Sequence, residues 1–149
     1  MRNISNIVIA FMLLLVISSF NNRADTTFSL TISVEKLRNA DGIVQFTLYN
    51  KEGSIPDEEF KKYYKMLKAK IVNGSSKVTF SGIPIGRYAV NIFHDQNNNG
   101  KIDKGFILPI EGIGFSNYQT IGLSNKPDFE KASFILNSNK MLMIKMIYL

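Results

Sequence analysis

Alternating apolar and polar residues mark the first strand of the chain. From Phe28 to Val34 every second residue is apolar, and this period of two predicts a strand with one buried face. Residues 43–49 (IVQFTLY) are rich in β-branched and aromatic side chains, which predicts a second strand. The turn pair Asp41-Gly42 directly precedes the second strand. The two strands are therefore predicted to pair as an antiparallel hairpin joined by residues 35–42.

Further short apolar runs, separated by turn residues, continue this pattern to the end of the chain. In one of them Tyr88, Val90 and Ile92 share one face of a predicted strand, and the residues between them share the other. Asn73-Gly74 is a strong signal for a tight hairpin turn. The remaining predicted strands cover residues 69–72, 78–80, 132–136 and 141–148. About seven short strands with turns between them predict a mainly β protein, an antiparallel β-sandwich.

A single segment has the period of a helix. Acidic residues at 57–59 precede basic residues at 61–70, which is the order that complements a helix dipole. The aromatic and apolar residues between them are spaced i, i+3, i+4, i+7, at Phe60, Tyr63, Tyr64 and Leu67. We predict one short amphipathic helix over residues 56–69 with a solvated basic face, the alternative being a binder of anionic surfaces. A long ordered loop is predicted over residues 94–130, and loops of that length are usually functional.

The amino-terminal residues have the composition of an export signal. Ile7 to Ile17 is an unbroken apolar run behind the positive charge of Arg2, and polar residues follow it at once. The run is shorter than the roughly 20 residues that span a bilayer. We predict a signal peptide over residues 1–24, cut after Ala24, and a single domain over residues 25–149. The alternative is an uncleaved leader that anchors the chain in the membrane. Either way the protein is predicted to be periplasmic or extracellular.

Composition narrows the chemistry that is available. The chain has no cysteine and one histidine, so disulfides, thiolate metal sites, cysteine nucleophiles and multi-histidine sites are excluded within one chain. The net charge of +6 falls to +4 when Arg2 and Arg23 leave with the leader. This small excess gives no reason to expect a nucleic-acid partner.

The predicted long loop contains a pattern of oxygen ligands spaced like those of a calcium loop. Side-chain oxygens stand at positions 1, 3, 5 and 9 of residues 95–103, with a flexible glycine at position 6. Phe106 stands where an EF-hand has a bidentate glutamate, so any affinity is weak, with Kd on the order of 0.1–1 mM. The alternative is an Asn/Gly-rich turn whose side chains bond their own backbone. The predicted ligands are Asp95, Asn97, Asn99, the backbone carbonyl of Lys101, Asp103 and, from further along the chain, Glu111. No other cofactor is predicted.

Four motifs follow one another along the chain. They are Ile83-Pro84-Ile85-Gly86-Arg87-Tyr88-Ala89-Val90, His94-Asp95-x-Asn97-x-Asn99-Gly100-Lys101-x-Asp103, Pro109-x-Glu111-Gly112-x-Gly114-Phe115-Ser116-Asn117 and Pro127-x-Phe129-x-x-Ala132-x-Phe134. Their order and spacing resemble one family, the uncharacterised secreted family known as domain of unknown function 2141. The resemblance covers residues 27–148 and implies a signal peptide followed by a prealbumin-like or immunoglobulin-like β-sandwich. It implies no catalytic activity.

Three functions are compatible with these residues. The first is a non-catalytic binding or envelope-associated module that presents the loop to a protein or glycan of the cell envelope. Its candidate binding surface is His94, Phe106, Phe115, Asn117 and Tyr118. The second is a small hydrolase-like enzyme that uses His94 with Asp95 or Glu111, although the sequence has no nucleophile elbow. The third is a purely structural envelope protein. We favour the first and predict no catalytic residue, with His94 bonded to loop backbone.

Overall fold

The described part of the chain is built almost entirely of β-strands. The computed structural model describes residues 26–106, 109–122 and 124–149, so the predicted leader and its cleavage site lie outside the described residues. Within them there are eight strands and one helix of a single turn, and no helix long and apolar enough to cross a membrane. The elements are β1 (Thr27–Val34), β2 (Ile43–Tyr49), β3 (Lys65–Ala69), β4 (Ser76–Pro84), β5 (Gly86–Asp95), β6 (Gly112–Phe115), α1 (Phe129–Ala132), β7 (Phe134–Leu136) and β8 (Lys140–Met143).

The strands form two sheets, which confirms the predicted β-sandwich class. Sheet A has the order β4-β1-β8, and sheet B has the order β3-β2-β5-β6 with β7 also paired to β5. All these pairs are antiparallel except β1 with β8, which is parallel. The predicted alternation of β1 is observed, because Leu30, Ile32 and Val34 are fully buried. They belong to a hydrophobic cluster that includes Phe46 and Ile92 of sheet B.

Sheet B is buried on both of its faces. Along β5, Val90 and Ile92 join the first hydrophobic cluster, and Ala89 and Phe93 join a second one. Because neighbouring side chains of a strand point to opposite faces, the second cluster lies on the face of sheet B turned away from the first cluster. We call this face the outer face of sheet B. Besides Ala89 and Phe93, the second cluster contains Tyr49, Ile55, Ile113, Phe115, Tyr118, Phe129 and Ala132.

The predicted hairpin between the first two strands is wrong. β1 pairs with β4 and β8, and β2 pairs with β3 and β5. The connection over residues 35–42 therefore crosses from sheet A to sheet B. Packed sheets are about 10 Å apart, about twice the spacing of neighbouring strands, and an eight-residue connection is long enough for that crossing. Both strands bury apolar side chains in the first cluster, so they meet face to face rather than edge to edge.

The predicted helix over residues 56–69 is also wrong. The carboxylate of Asp57 accepts hydrogen bonds from the backbone N–H groups of Lys61 (3.1 Å) and Lys62 (2.7 Å), which fixes a turn. Phe60 has a left-handed φ of 50°, which ends any right-handed helical path at that residue. Its ring stacks on Phe93, with the ring centroids 5.6 Å apart. The rest of the expected apolar stripe is not buried on one side, since Tyr63, Tyr64 and Leu67 are exposed.

Other predicted boundaries need smaller corrections. Asn73-Gly74 does form a tight turn, and both residues have positive φ, but only a single bridge between Val72 and Ser75 closes it. Residues 129–132 form α1, whose first turn is capped by the Asp128 carboxylate, so β7 begins only after it. The last predicted strand is observed as residues 140–143 alone. Finally, the predicted long loop contains β6, which pairs with β5.

Candidate functional site

The loop that follows β5 is held together by its own polar side chains. Asp95, at the end of β5, is buried, and its two carboxylate oxygens accept the backbone N–H groups of Asn99 (3.0 Å) and Gly100 (2.9 Å). The side-chain amides of Asn97 and Asn99 donate to the carboxylate of Asp103, at 2.6 Å and 3.1 Å. Four of the predicted calcium ligands are therefore brought together at one end of the sandwich.

Glu111 closes this loop from the start of β6. It is buried, and its Oε1 accepts the backbone N–H of Gln96 at 2.9 Å, near the beginning of the loop. Its Oε2 accepts the backbone N–H of Asp103 at 3.1 Å, at the end of the loop. The Glu111 carboxylate thus links the two ends of the loop. The sequence pattern did not predict these two hydrogen bonds.

The atoms that the loop side chains present determine whether the loop can bind a metal ion. Two nitrogens of asparagine amides, rather than two oxygens, face the Asp103 carboxylate. Their oxygens accept backbone N–H groups, from Asn99 to Asn97 at 3.0 Å and from Lys101 to Asn99 at 2.7 Å. In the part of the chain that the structure describes, no group of three or more His, Asp or Glu side chains is arranged to hold a metal ion. A hard cation would need the amides to rotate and present oxygen instead.

His94 lies in the interior, and both of its ring nitrogens are bonded. Nε2 is 2.9 Å from the backbone carbonyl oxygen of Asp41, and Nδ1 is 2.7 Å from the hydroxyl of Tyr148. A carbonyl can only accept, so Nε2 carries the hydrogen and, in the neutral ring, Nδ1 accepts from the Tyr148 hydroxyl. The ring is fully buried. His94 thus connects three segments that are far apart in the sequence.

Tyr148 is in turn held by Arg38. The backbone N–H of Arg38 donates to the Tyr148 hydroxyl at 3.2 Å, and the Arg38 guanidinium lies 4.5 Å from the centroid of the Tyr148 ring. Burial raises the pKa of Tyr148, an effect that the nearby Arg38 partly offsets. The hydroxyl therefore stays protonated at neutral pH and can donate to His94.

The structure does not bring the predicted binding surface together. His94, Phe115 and Tyr118 are buried, and Phe115 and Tyr118 pack against each other in the second hydrophobic cluster. The side-chain amide of Asn117 donates to backbone carbonyls around the end of α1, including that of Ser133 at 2.9 Å. Of the five residues only Phe106 has a fully exposed ring. Aromatic character alone did not distinguish core residues from surface residues here.

Sequence reasoning missed a cavity of about 300 Å³ on the outer face of sheet B. Its walls come from segments distant in the sequence, among them Tyr49 of β2, Asn91 of β5 and Ile113 of β6. Ile102, from the loop after β5, also lines it, so the loop and the cavity share a wall. No short motif marks the lining residues, and their convergence depends on the order of strands in sheet B.

Comparison with known proteins identifies the family. Residues 32–144 match the family described as an uncharacterized protein conserved in bacteria, domain of unknown function 2141. No curated protein and no solved structure matches the chain. The match covers most of the chain and includes the loop after β5, β6 and α1. The chain therefore belongs to the bacterial family known as domain of unknown function 2141.

Proposed function

We propose that this protein is an exported, non-catalytic binding module of the bacterial cell envelope. The observation that carries the proposal is the burial of His94 with both ring nitrogens engaged. A general base must reach the proton that it removes, directly or through one water. The carboxylates of Asp95 and Glu111, its candidate partners, are likewise engaged by backbone N–H groups. These contacts favour a structural role for the residues that the enzyme hypothesis would use.

The exposed loop between β5 and β6 is the binding element in this proposal. It carries Phe106, whose ring is fully exposed, next to the self-bonded segment 95–103. Large exposed apolar residues beside polar ones are common where proteins meet partners. The partner class is a protein or a glycan of the envelope, reached after export by the apolar leader. An uncleaved leader would add a membrane anchor without changing the binding element.

We further propose that calcium orders the loop. The convergence of Asp95, Asn97, Asn99 and Asp103 supports this, because few side chains must move to surround one ion. Rotation of the two asparagine amides would place their oxygens beside the Asp103 carboxylate. The Lys101 carbonyl and Glu111 complete the proposed set. With only weak binding expected, calcium at extracellular concentrations would act on the loop, and magnesium, which requires a stricter geometry, would not.

Co-sedimentation with envelope material tests the binding role. The full chain is mixed with insoluble cell-wall glycan or with immobilised envelope proteins, in calcium and in chelator. We expect retention by one of the two, and about tenfold weaker retention of Phe106→Ala, since an exposed aromatic at an interface is often a hot spot. Met141→Ala, at an exposed site of sheet A on β8, is the matched control and should bind normally.

The outcomes separate the three functions. Loss of retention in chelator supports a calcium-ordered binding loop, and retention that is indifferent to chelator supports the module without the ion. No retention in either arm, with normal folding, would contradict the binding role and favour a purely structural envelope protein. Hydrolysis of a substrate that disappears in His94→Ala, with the fold intact, would establish the enzyme instead.

A further inference from the structure

The cavity on the outer face of sheet B has the character of a small-molecule site. Its volume of about 300 Å³ is at the lower end of the range for ligand pockets. Apolar side chains dominate its walls, including Ile102, Ile113, Phe115 and Ile121. These apolar walls favour an apolar occupant over a strongly polar one, because polar groups without partners are costly to bury.

A buried polar side chain also lines the cavity, Asn91 at the middle of β5. It is 4% exposed, and its neighbours on the same face of the strand are Ala89 and Phe93. Its amide nitrogen donates to the backbone carbonyls of Gly114 (3.1 Å) and Ile92 (3.3 Å). Both partners are acceptors, so the nitrogen and oxygen of the amide cannot be exchanged.

The carbonyl oxygen of Asn91 is left without a donor from any described residue. An amide oxygen can accept up to two hydrogen bonds, so this oxygen can still take a hydrogen from a donor. Asn91 lines the cavity, so an occupant of the cavity can supply that hydrogen. The hydroxyl of Tyr49, which also lines the cavity, donates to the carboxylate of Asp57 at 3.4 Å.

The charged side chains that line the cavity are balanced. Two acidic and two basic side chains line it, Asp57 and Glu58 with Lys104 and Lys126. Glu58 and Lys104 form an ion pair, and the Asp57 carboxylate accepts two backbone N–H groups and the Tyr49 hydroxyl. This balance favours a neutral occupant over an anion or a cation.

We propose that the cavity on the outer face of sheet B binds a neutral, ring-sized apolar molecule whose hydroxyl or N–H group donates a hydrogen bond to Asn91 Oδ1. The site goes beyond the proposed role of the loop and does not depend on calcium. Ile102 belongs to both, so an occupied cavity also braces the end of the loop against sheet B.

Phenol and toluene are matched probes for this proposal. They have nearly the same size and shape, and only phenol has a hydrogen-bond donor. Titration into the full chain is followed by the NMR signals of the Asn91 side-chain amide and of the backbone N–H groups of Ile113 and Phe115. We expect both compounds to shift these signals, with phenol binding about tenfold more tightly than toluene. Asn91→Leu should abolish the preference for phenol.

A second pair of variants covers the case in which Asn91→Leu does not fold. Ile121→Trp fills the cavity from a half-buried position and should weaken both probes at least tenfold. Ile135→Trp makes the same change at an exposed position of β7 and should bind as the unchanged chain does. No shift with either probe would overturn the proposal, as would equal affinity for phenol and toluene in the unchanged chain. Persistence of binding in Ile121→Trp would overturn the location of the site.

Discussion

Gly42→Ala is expected to destabilise the domain by about 3–5 kcal/mol, a large effect for the addition of one methyl group. Gly42 has a φ of +67°, which costs a residue with a side chain about 1–2 kcal/mol. A Cβ at this position would stand 1.9 Å from the backbone carbonyl oxygen of Asp95. Backbone cannot move aside as a flexible side chain can, so relief requires the start of β2 to separate from the end of β5. Urea denaturation followed by circular dichroism measures the loss.

Gly53→Ala is the matched control for this experiment. Its φ is +71°, nearly that of Gly42, but an added Cβ would meet no atom within 4 Å. It should lose only the conformational cost of about 1–2 kcal/mol. Equal destabilisation by the two variants would contradict the close approach of Gly42 to Asp95. Since Asp95 begins the polar loop, that approach also fixes where the loop leaves the sheet.

His94→Ala is expected to cost about 3–5 kcal/mol of stability. The change leaves the Asp41 carbonyl without its donor, leaves the Tyr148 hydroxyl without its acceptor, and opens a space where a fully buried ring stood. Tyr148→Phe removes only the hydroxyl, so it should cost about 1–3 kcal/mol by leaving His94 Nδ1 and the Arg38 N–H unpaired. Chemical denaturation of both variants checks these values.

Tyr63→Phe is the control for the loss of a hydroxyl. Tyr63 is 43% exposed, so removal of its hydroxyl should change the free energy of unfolding by less than about 0.5 kcal/mol. If His94→Ala and Tyr148→Phe were as harmless as Tyr63→Phe, His94 would not be a structural connector between distant segments. A catalytic role would then be the better explanation for His94.

Sequence periodicity predicted β1, β2 and β5 well, but it missed β3 and β6, and the predicted strand over residues 69–72 is not observed beyond Ala69. It predicted the partners of the strands poorly. The alternation along β1 and the two-faced character of β5 follow from side-chain geometry within a single strand. The pairing of β1 with β4, and its parallel pairing with β8, depends on residues more than 40 positions away. A local pattern contains no information on such distant contacts, so it predicts the strand nearest in sequence, β2, as the partner of β1.

The wrong prediction of a helix over residues 56–69 has a different cause. Its apolar spacing and charge order satisfied helical rules, but a single side chain, Asp57, bonds the backbone of Lys61 and Lys62 and folds a turn. Beyond the turn, the backbone N–H of Tyr64 donates to the carbonyl of Leu48, and β3 then pairs along β2. Tertiary pairing outweighed a weak local propensity, as it often does for short segments.

The same distinction between local and distant contacts separates the predicted parts of the candidate site from the parts that were missed. The bonds inside residues 95–103 are local, and the Asp, Asn and Gly spacing predicted them, either as a calcium loop or as a self-bonded turn. The contact between His94 and Tyr148 spans 54 residues, and the cavity draws on many segments. Burial of Phe115 and Tyr118 likewise depends on α1, whose last residue the sequence pattern assigned to a strand.

Thermal unfolding of the full chain in chelator, in magnesium and in about 10 mM calcium tests the calcium-ordered loop most directly. With a Kd near 1 mM, mass action adds about 1.4 kcal/mol, which raises Tm by roughly 4 °C for a domain of this size. Asp95→Ala should lose the rise in calcium, although its Tm in chelator also falls because two backbone N–H groups lose their acceptor. Asp41→Ala, which changes an exposed residue outside the loop, should keep the rise. A calcium-specific rise with this dependence on Asp95 is the predicted result, and equal Tm values in all three buffers would contradict it.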